Sequence, residues 1–302
     1  MLSEVVTHFI DRQRWLDPVG HALQKVASAA FDHLGPLSQP IEDLLHGTPA
    51  GHPLHPALTD IPIGSWTATM ALDLAGIDDG ADLALNLGLA GALGAAVSGL
   101  ADWRYTEGTQ RRAGIAHALL NLTGTTLYAI SSFQRRSRNR TGAKTLSSLG
   151  YLCILGGGYL GGDLAYTLGV MVNRNAWLTG TSPYTPVMPL IDLPDDQPTR
   201  ASANGEDVVL VRRGERVYAL AHSCAHLGGP MSRGKLEGDA IVCPWHGSAF
   251  ALDDGHVTRG PAAYSQPCYA TRIRDGLVEV QLGGEAGERK PWYRIRGDAS
   301  HP

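Results

Sequence analysis

Four long stretches with few charged residues follow one another in the first part of the chain. Each holds roughly 20 residues or more, and a helix of that length crosses about 30 Å of hydrocarbon at about 1.5 Å per residue. We therefore predict an all-α bundle of four transmembrane helices within residues 57–172. The predicted spans cover residues 57–76, 81–103, 112–133 and 145–172.

The four stretches are rich in glycine, alanine, serine and threonine rather than in bulky apolar residues. Small residues recur at every fourth position at Gly91, Ala95 and Gly99, and again at Gly157 and Gly161. This spacing is typical of helices that pack closely inside a bilayer. A soluble bundle is the alternative, but it would show a charged face on every helix, which these stretches do not.

The segments that flank the bundle differ from it in composition. Residues 1–56 show short amphipathic patterns broken by proline and glycine, and these predict short helices that do not cross a membrane. Residues 173–185 form a polar linker, and residues 284–302 form a polar tail. The formal net charge of -4 indicates no basic surface for nucleic acid.

A different pattern begins near Pro186, where short apolar or alternating runs are separated by turn residues. These runs predict an all-β domain over residues 186–283. The domain contains a C-x-H pair and, further along, a C-x-x-H pair. Two thiolates and two imidazoles can hold a tetrahedral zinc ion, and the same donors can hold an iron–sulfur cluster. The four candidate ligands are Cys224, His226, Cys243 and His246.

The two segments around these ligands, "CAHLGG" and "CPWHGSAF", resemble those of the ferredoxin-type Rieske [2Fe–2S] family over residues 186–282. The resemblance implies that Cys224 and Cys243 ligate one iron, and that His226 and His246 ligate the other. Such a cluster transfers electrons, so the resemblance also predicts a redox function.

The resemblance assigns roles to the residues around the cluster as well. Gly228 and Trp245 stand where respiratory members carry two further cysteines, and Phe250 stands where they carry a tyrosine. Ser248 matches a serine that donates to a bridging sulfide, and Pro261 lies in a segment similar to the loop that covers the cluster. Hydrogen bonds to cluster sulfurs stabilise the reduced state, so the missing tyrosine hydroxyl predicts a reduction potential below the respiratory range.

The helical region carries a resemblance of its own. The segment "HGTPAGHPLHPALTDIPIGSW" resembles an uncharacterised bacterial family of four-helix membrane domains, which is often fused to Rieske domains. The resemblance covers roughly residues 40–172. It implies a fold but no established activity.

Counting helix crossings gathers several polar residues at one membrane face, the face from which the all-β domain continues. Charged groups in a membrane are costly and usually share an interior or a cavity. Three interpretations stay open: a b-type haem held by His117 and either His55 or His52, one or two metal ions, or histidines that only cap, pair with carboxylates or border a quinone pocket. The candidate residues are His52, His55, His117, Asp60 and Asp163.

These patterns together predict a multi-domain membrane protein with a four-helix transmembrane bundle and a C-terminal all-β Rieske domain. We expect it to pass single electrons between a haem, metal or quinone site in the bundle and a partner protein, as an oxidoreductase component rather than a self-contained enzyme. The alternative is a membrane-tethered Rieske ferredoxin or redox sensor whose bundle is only an anchor. We expect a multi-pass protein of the bacterial cytoplasmic membrane, in contact with lipid and able to form oligomers. The absence of an evident export signal favours a cytoplasmic Rieske domain.

Overall fold

The computed structural model describes residues 2–137, 139–178 and 181–283. The chain divides into two compact units: a helical unit of residues 1–47 and 53–172, and a β unit of residues 48–52 and 173–302. The prediction of an all-α region followed by an all-β domain is confirmed. The predicted polar tail, residues 284–302, lies outside the described residues.

The helical unit contains seven α-helices within its described residues, and the last four correspond to the predicted spans. The first of these begins directly after Pro53, whose extended backbone (φ -54°, ψ 128°) cannot belong to a helix. The helices are α1 (Leu2–Asp11), α2 (Leu16–Asp32), α3 (Ser38–His46), α4 (Leu54–Ala75), α5 (Asp78–Trp103), α6 (Gly108–Arg136) and α7 (Arg140–Gly162).

The last helix departs from its prediction. α7 ends at Gly162, before the end of the predicted span 145–172, and a π-helical turn follows over Asp163–Thr167. Consecutive glycines at the end of α7 have low helix propensity. The carboxylate of Asp163 accepts a hydrogen bond from the Ser3 hydroxyl at 2.7 Å, which holds this end against α1.

The bundle core contains two stacked aromatic rings. Trp66 of α4 lies on Tyr128 of α6 with ring centroids 4.3 Å apart and ring planes 5° apart. Both residues are 1% exposed. A Cβ at Gly88 of α5 would lie 2.3 Å from the Trp66 Nε1, so α5 can approach the indole only because this position is a glycine.

A buried ion cluster joins four helices at one end of the bundle. The side chain of Arg135 on α6 is 2% exposed and forms ion pairs with Asp73 of α4 and Asp82 of α5. Arg140 of α7 bonds the other oxygen of Asp82 at 2.8 Å. A buried charge without its partner is strongly unfavourable, so these contacts fix the helix ends relative to one another.

The N-terminal helices are tied to the bundle by charge. Arg111 and Arg112 of α6 each bond the Asp17 carboxylate of α2 at 2.9 Å. Arg112 also reaches Asp11 of α1 at 2.5 Å. The hydrogen bond from Arg111 is the main cause that lowers the pKa of Asp17.

The β unit consists of two antiparallel sheets. One sheet has six strands in the order β1-β10-β9-β4-β3-β2, and the other has four in the order β5-β6-β7-β8. The strands are β1 (Thr185–Pro189), β2 (Thr199–Ala203), β3 (Glu206–Arg213), β4 (Arg216–Ala221), β5 (Lys235–Glu237), β6 (Ala240–Val242), β7 (Ala249–Ala251), β8 (Val257–Arg259), β9 (Cys268–Arg274) and β10 (Leu277–Gln281). One buried apolar cluster includes Leu220, Ile241 and Phe250, and also Cys224 and Cys243. The core of the β unit therefore positions the candidate thiol ligands.

Candidate metal centre

The candidate ligands of the β unit lie in two loops that fold alike. The first loop follows β4, and the second connects β6 to β7. In the first, the Gly228 N–H donates to the Cys224 carbonyl at 2.9 Å; in the second, the Gly247 N–H donates to the Cys243 carbonyl at 3.1 Å. Both glycines have positive φ angles, 82° and 78°, which side chains rarely allow. Each loop thus turns tightly behind its cysteine.

The two loops converge on one buried point. Cys224 is 1% exposed, Cys243 is 3% exposed and His226 is 4% exposed. The rings of His226 and His246 lie edge to face, with centroids 5.1 Å apart. His246 is half-buried, and the neighbouring Trp245 is exposed. The site is therefore enclosed on the cysteine side and reaches the surface on the side of His246.

The thiols of this site lie among hydrogen-bond donors. The hydrogen bond between the two thiols lowers the pKa of Cys243 to about 7 and raises the pKa of Cys224. Backbone N–H groups of Trp245 and His246 bond the Cys243 sulfur. Backbone N–H groups of the first loop bond the Cys224 sulfur in the same manner. Such donors stabilise negative charge on sulfur, which metal ligation requires.

The arrangement fits a two-iron cluster better than a single zinc ion. No three of the four candidate ligands have their donor atoms within 4.8 Å of one another; among the described residues, only Asp253, Asp254 and His256 do. Tetrahedral zinc draws its ligands around one point, whereas a [2Fe–2S] cluster divides two cysteines and two histidines between two irons.

Further residues close the site around its cysteine side. The Ser248 hydroxyl is fully buried and accepts a hydrogen bond from the Ala262 N–H at 3.0 Å, which leaves its own proton to donate. Pro261 is buried beside it. A Cβ at Gly229 would lie 2.7 Å from the Cys243 sulfur, so any other residue there would crowd the thiol. Phe250 is fully buried in the core.

Two of the candidate histidines of the helical unit come together. His55 of α4 and His117 of α6 have ring centroids 6.2 Å apart and ring planes at 82°. Asp163 bonds Ser3, and Asp60 is exposed on α4. His52 is exposed and belongs to residues 48–52 of the β unit. The histidine-rich segment is thus divided between the two units.

A further buried pair was missing from the sequence prediction. His46, at the end of α3, is 1% exposed, and its Nδ1 lies 2.7 Å from the Asp102 carboxylate of α5. The sequence alone gave no signal for this pair, because the two residues are far apart in the chain and His46 precedes the predicted spans.

Two buried cysteine–histidine loops on an all-β core define the class of iron–sulfur electron carriers. Two family models match the chain: a Rieske [2Fe-2S] domain over residues 184–270, and a predicted membrane protein family (DUF2231) over residues 51–174. The chain belongs to the Rieske [2Fe-2S] family.

Two curated relatives support membership of this family. Ferredoxin CarAc of Metapseudomonas resinovorans is 32% identical over 83 residues, which are 28% of this chain and 73% of that protein. The 3-phenylpropionate/cinnamic acid dioxygenase ferredoxin subunit of Escherichia coli K12 is 30% identical over 95 residues, which are 31% of this chain and 89% of that protein. Among solved structures, the ferredoxin of carbazole 1,9a-dioxygenase from Nocardioides aromaticivorans IC177 is 27% identical, with a TM-score of 0.32 over 33% of this chain and 97% of that chain. The chain spans 16% of the length of the apoptosis-inducing factor 3 proteins of mouse and human that it matches.

The second family agrees with the prediction of a membrane domain. Among the described helices, α5 is the one that is long and apolar enough to cross a membrane: it has 26 residues, and an 18-residue stretch within it has a mean hydropathy of 1.7. The number of spans remains a prediction.

Proposed function

We propose that this protein is a membrane-anchored Rieske electron carrier. Cys224 and Cys243 ligate one iron of its [2Fe–2S] cluster, and His226 and His246 ligate the other. The observation that carries the proposal is the convergence of these four side chains from two similarly folded loops. The bound cluster accepts and releases one electron at a time.

The residues around the ligands suit this role. Backbone N–H groups aimed at the two sulfurs stabilise the added negative charge of the reduced state. The apolar core behind the cysteines excludes water on that side. The exposed Trp245 and the half-buried His246 form the side at which a partner approaches.

The partner is a protein that exchanges single electrons with the cluster. The ferredoxin subunit of a dioxygenase among the relatives supports such a partner. We further propose that α4 to α7 all cross the cytoplasmic membrane, that the β unit faces the cytoplasm, and that the bundle holds the second electron site.

The purified full-length chain in detergent tests the proposal. We expect iron and acid-labile sulfide in equal amounts, about two of each per chain beyond any haem iron, and a reduced-state signal typical of Rieske clusters. A redox titration should give a potential below the respiratory range. Stopped-flow mixing of the reduced protein with cytochrome c, a generic one-electron acceptor, should oxidise the cluster. Stoichiometric zinc with no sulfide would contradict the proposal.

A further inference from the structure

The helical unit contains an internal repeat with an offset of 62 residues. α5 begins at Asp78 and α7 begins at Arg140, one offset later. Gly88 and Gly150, also one offset apart, each lie against an aromatic ring of the preceding helix. The hairpins α4–α5 and α6–α7 are therefore two copies of one structural unit. Membrane proteins built in this way can have halves related by an axis along the membrane normal.

Three contacts join a residue to its own equivalent in the other copy. A two-fold axis can bring equivalent residues together only where it passes between them. The three contacts therefore mark a pseudo-two-fold axis along the bundle, with a histidine pair towards one end and an ion pair towards the other. The pairs are His55 with His117, Trp66 with Tyr128, and Asp73 with Arg135.

The histidine pair differs from the other two. A stacked aromatic pair and an ion pair are complementary by themselves. The two imidazoles instead present the same chemical group to each other, edge to face, with centroids 6.2 Å apart. They are two equal donors placed symmetrically about one point.

Each ring is held in the orientation of a metal ligand. The Nδ1 of His55 lies 2.8 Å from the Ala95 carbonyl oxygen, and the Nδ1 of His117 lies 2.8 Å from the Gly157 carbonyl oxygen. Ala95 and Gly157 are also one offset apart. A carbonyl can only accept, so Nδ1 carries the proton in each ring and Nε2 keeps its lone pair. Hydrogen bonds of this kind orient metal-binding imidazoles.

Small residues of the neighbouring helices give the rings their room. A Cβ at Gly99 would lie 2.7 Å from the His55 Cε1, and a Cβ at Gly161 would lie 3.2 Å from the His117 Cε1. The amide nitrogen of Asn121 lies 3.2 Å from the His117 Nε2 and 3.3 Å from its Nδ1, and it donates to the His117 carbonyl at 2.8 Å. Asn121 therefore keeps a hydrogen bond when the ring nitrogen takes another partner.

We propose that His55 and His117 are the two axial ligands of a b-type haem on the pseudo-two-fold axis. The inference deepens the proposed function and rests on it, because it names the electron site of the bundle. An imidazole nitrogen lies about 2.0 Å from a bound transition metal, so two imidazoles on opposite sides of one metal have ring centroids about 6 Å apart.

The choice of haem over a bare ion follows from the number of ligands. A bare ion usually needs four ligands from its surroundings. In the part of the chain that the structure describes, neither histidine belongs to a group of three His, Cys, Asp or Glu donors within reach of one ion. A porphyrin supplies four in-plane nitrogens and leaves two axial positions for the protein.

The experiment measures haem and cluster separately in the full-length protein, expressed in a host with sufficient haem. We expect one haem b per chain by pyridine haemochrome, with a low-spin ferric signal that is strongly anisotropic because the ring planes are nearly perpendicular. His55→Ala and His117→Ala should each lower haem content about tenfold or more while acid-labile sulfide is unchanged. His33→Ala, an exposed histidine of the N-terminal segment, should leave haem content unchanged.

A conservative variant protects the test against a folding defect. His117→Met should retain haem with an altered spectrum, because a thioether is also an axial haem ligand. A haem-free wild type, haem content insensitive to both alanine substitutions, a high-spin ferric signal, or a metal without porphyrin at this site would each overturn the inference. Normal sulfide content in those cases would leave the Rieske proposal intact, whereas loss of sulfide from the wild type would refute the Rieske proposal itself.

Discussion

The two units place their paired candidate ligands on different kinds of backbone. In the β unit, each loop supplies one cysteine and one histidine, and backbone N–H groups surround the sulfurs. In the helical unit, each hairpin supplies one histidine, and a carbonyl of the neighbouring helix holds its ring. Loops can wrap a charged cluster in donors, whereas straight helices can only fix a distance. In the β unit, the charge of the candidate site is stabilised by backbone groups of the same two loops. In the helical unit, the distance between the two histidines is set by the packing of whole helices.

The largest effect is expected where the local ligand set is broken. Cys224→Ser or Cys243→Ser should abolish the cluster, because a thiolate ligand is lost from a site that is almost fully buried. Acid-labile sulfide and the visible spectrum of the purified protein measure this. Cys153→Ser, in the middle of α7, is the matched control and should keep the full cluster content. Loss of the cluster in the control alone would contradict the ligand assignment.

The next effect concerns the packing of the helices around Trp66 and Tyr128 at the centre of the helical unit. Trp66→Ala should destabilise the helical unit by about 3–5 kcal/mol, because it empties the centre of the core beside Tyr128. The exchange Trp66→Tyr with Tyr128→Trp should destabilise by less than about 1.5 kcal/mol, since the pseudo-two-fold axis makes the two positions equivalent and the total volume is kept. Denaturant titration of helical circular dichroism measures both. An exchange as damaging as the alanine variant would argue against the axis.

A comparable effect is expected at the ion cluster. Arg135→Gln should destabilise the helical unit by about 3–5 kcal/mol, because it removes the closest charged partner of the buried Asp73 and leaves only Lys144, 3.9 Å away. The adjacent Arg136 is exposed, and Arg136→Gln should change stability by no more than about 0.5 kcal/mol. The same titration gives both values. Cluster content should stay constant in both variants, so a fall in sulfide would show that the two units are not independent.

The smallest effect tests the fine electrostatics of the β unit. Ser248→Ala should lower the reduction potential by about 20–60 mV, which corresponds to one hydrogen bond of about 0.5–1.5 kcal/mol in a one-electron couple. The reason is the loss of the buried hydroxyl proton, which the Ala262 N–H leaves free to donate. A spectroscopic redox titration of variant and wild type measures the shift. An unchanged potential would mean that the hydroxyl does not bond a cluster sulfur.

The fold class could be predicted, and candidate ligands of the Rieske site could be named, because both signals are local. Each candidate loop carries its own C-x-H or C-x-x-H pattern, and each long helix carries its own apolar stretch. The early end of α7 escaped because it depends in part on a tertiary hydrogen bond that the Ser3 hydroxyl donates to Asp163, which no local pattern near Gly162 indicates. The pair His46–Asp102 escaped because its members are distant in sequence and no spacing rule links them, whereas Asp73–Arg135 escaped because the offset of 62 residues was not used.

The pairing of His55 with His117 could be predicted in part. Helix counting gathered both at one end of the bundle together with His52, Asp60 and Asp163. It could not choose among them, because a crossing count gives depth but no direction around the helix. The offset of 62 residues would have singled out His55 and His117 among these candidates, since it relates these two histidines to each other.

The repeat has a consequence for the histidine pair. A two-helix unit with a single histidine supplies both proposed axial ligands when it is present twice around a two-fold axis. Within one chain, the two copies can carry different residues at equivalent positions. Asp73 and Arg135 show such a difference: identical charged residues at these two equivalent positions would repel each other, whereas the aspartate and the arginine attract.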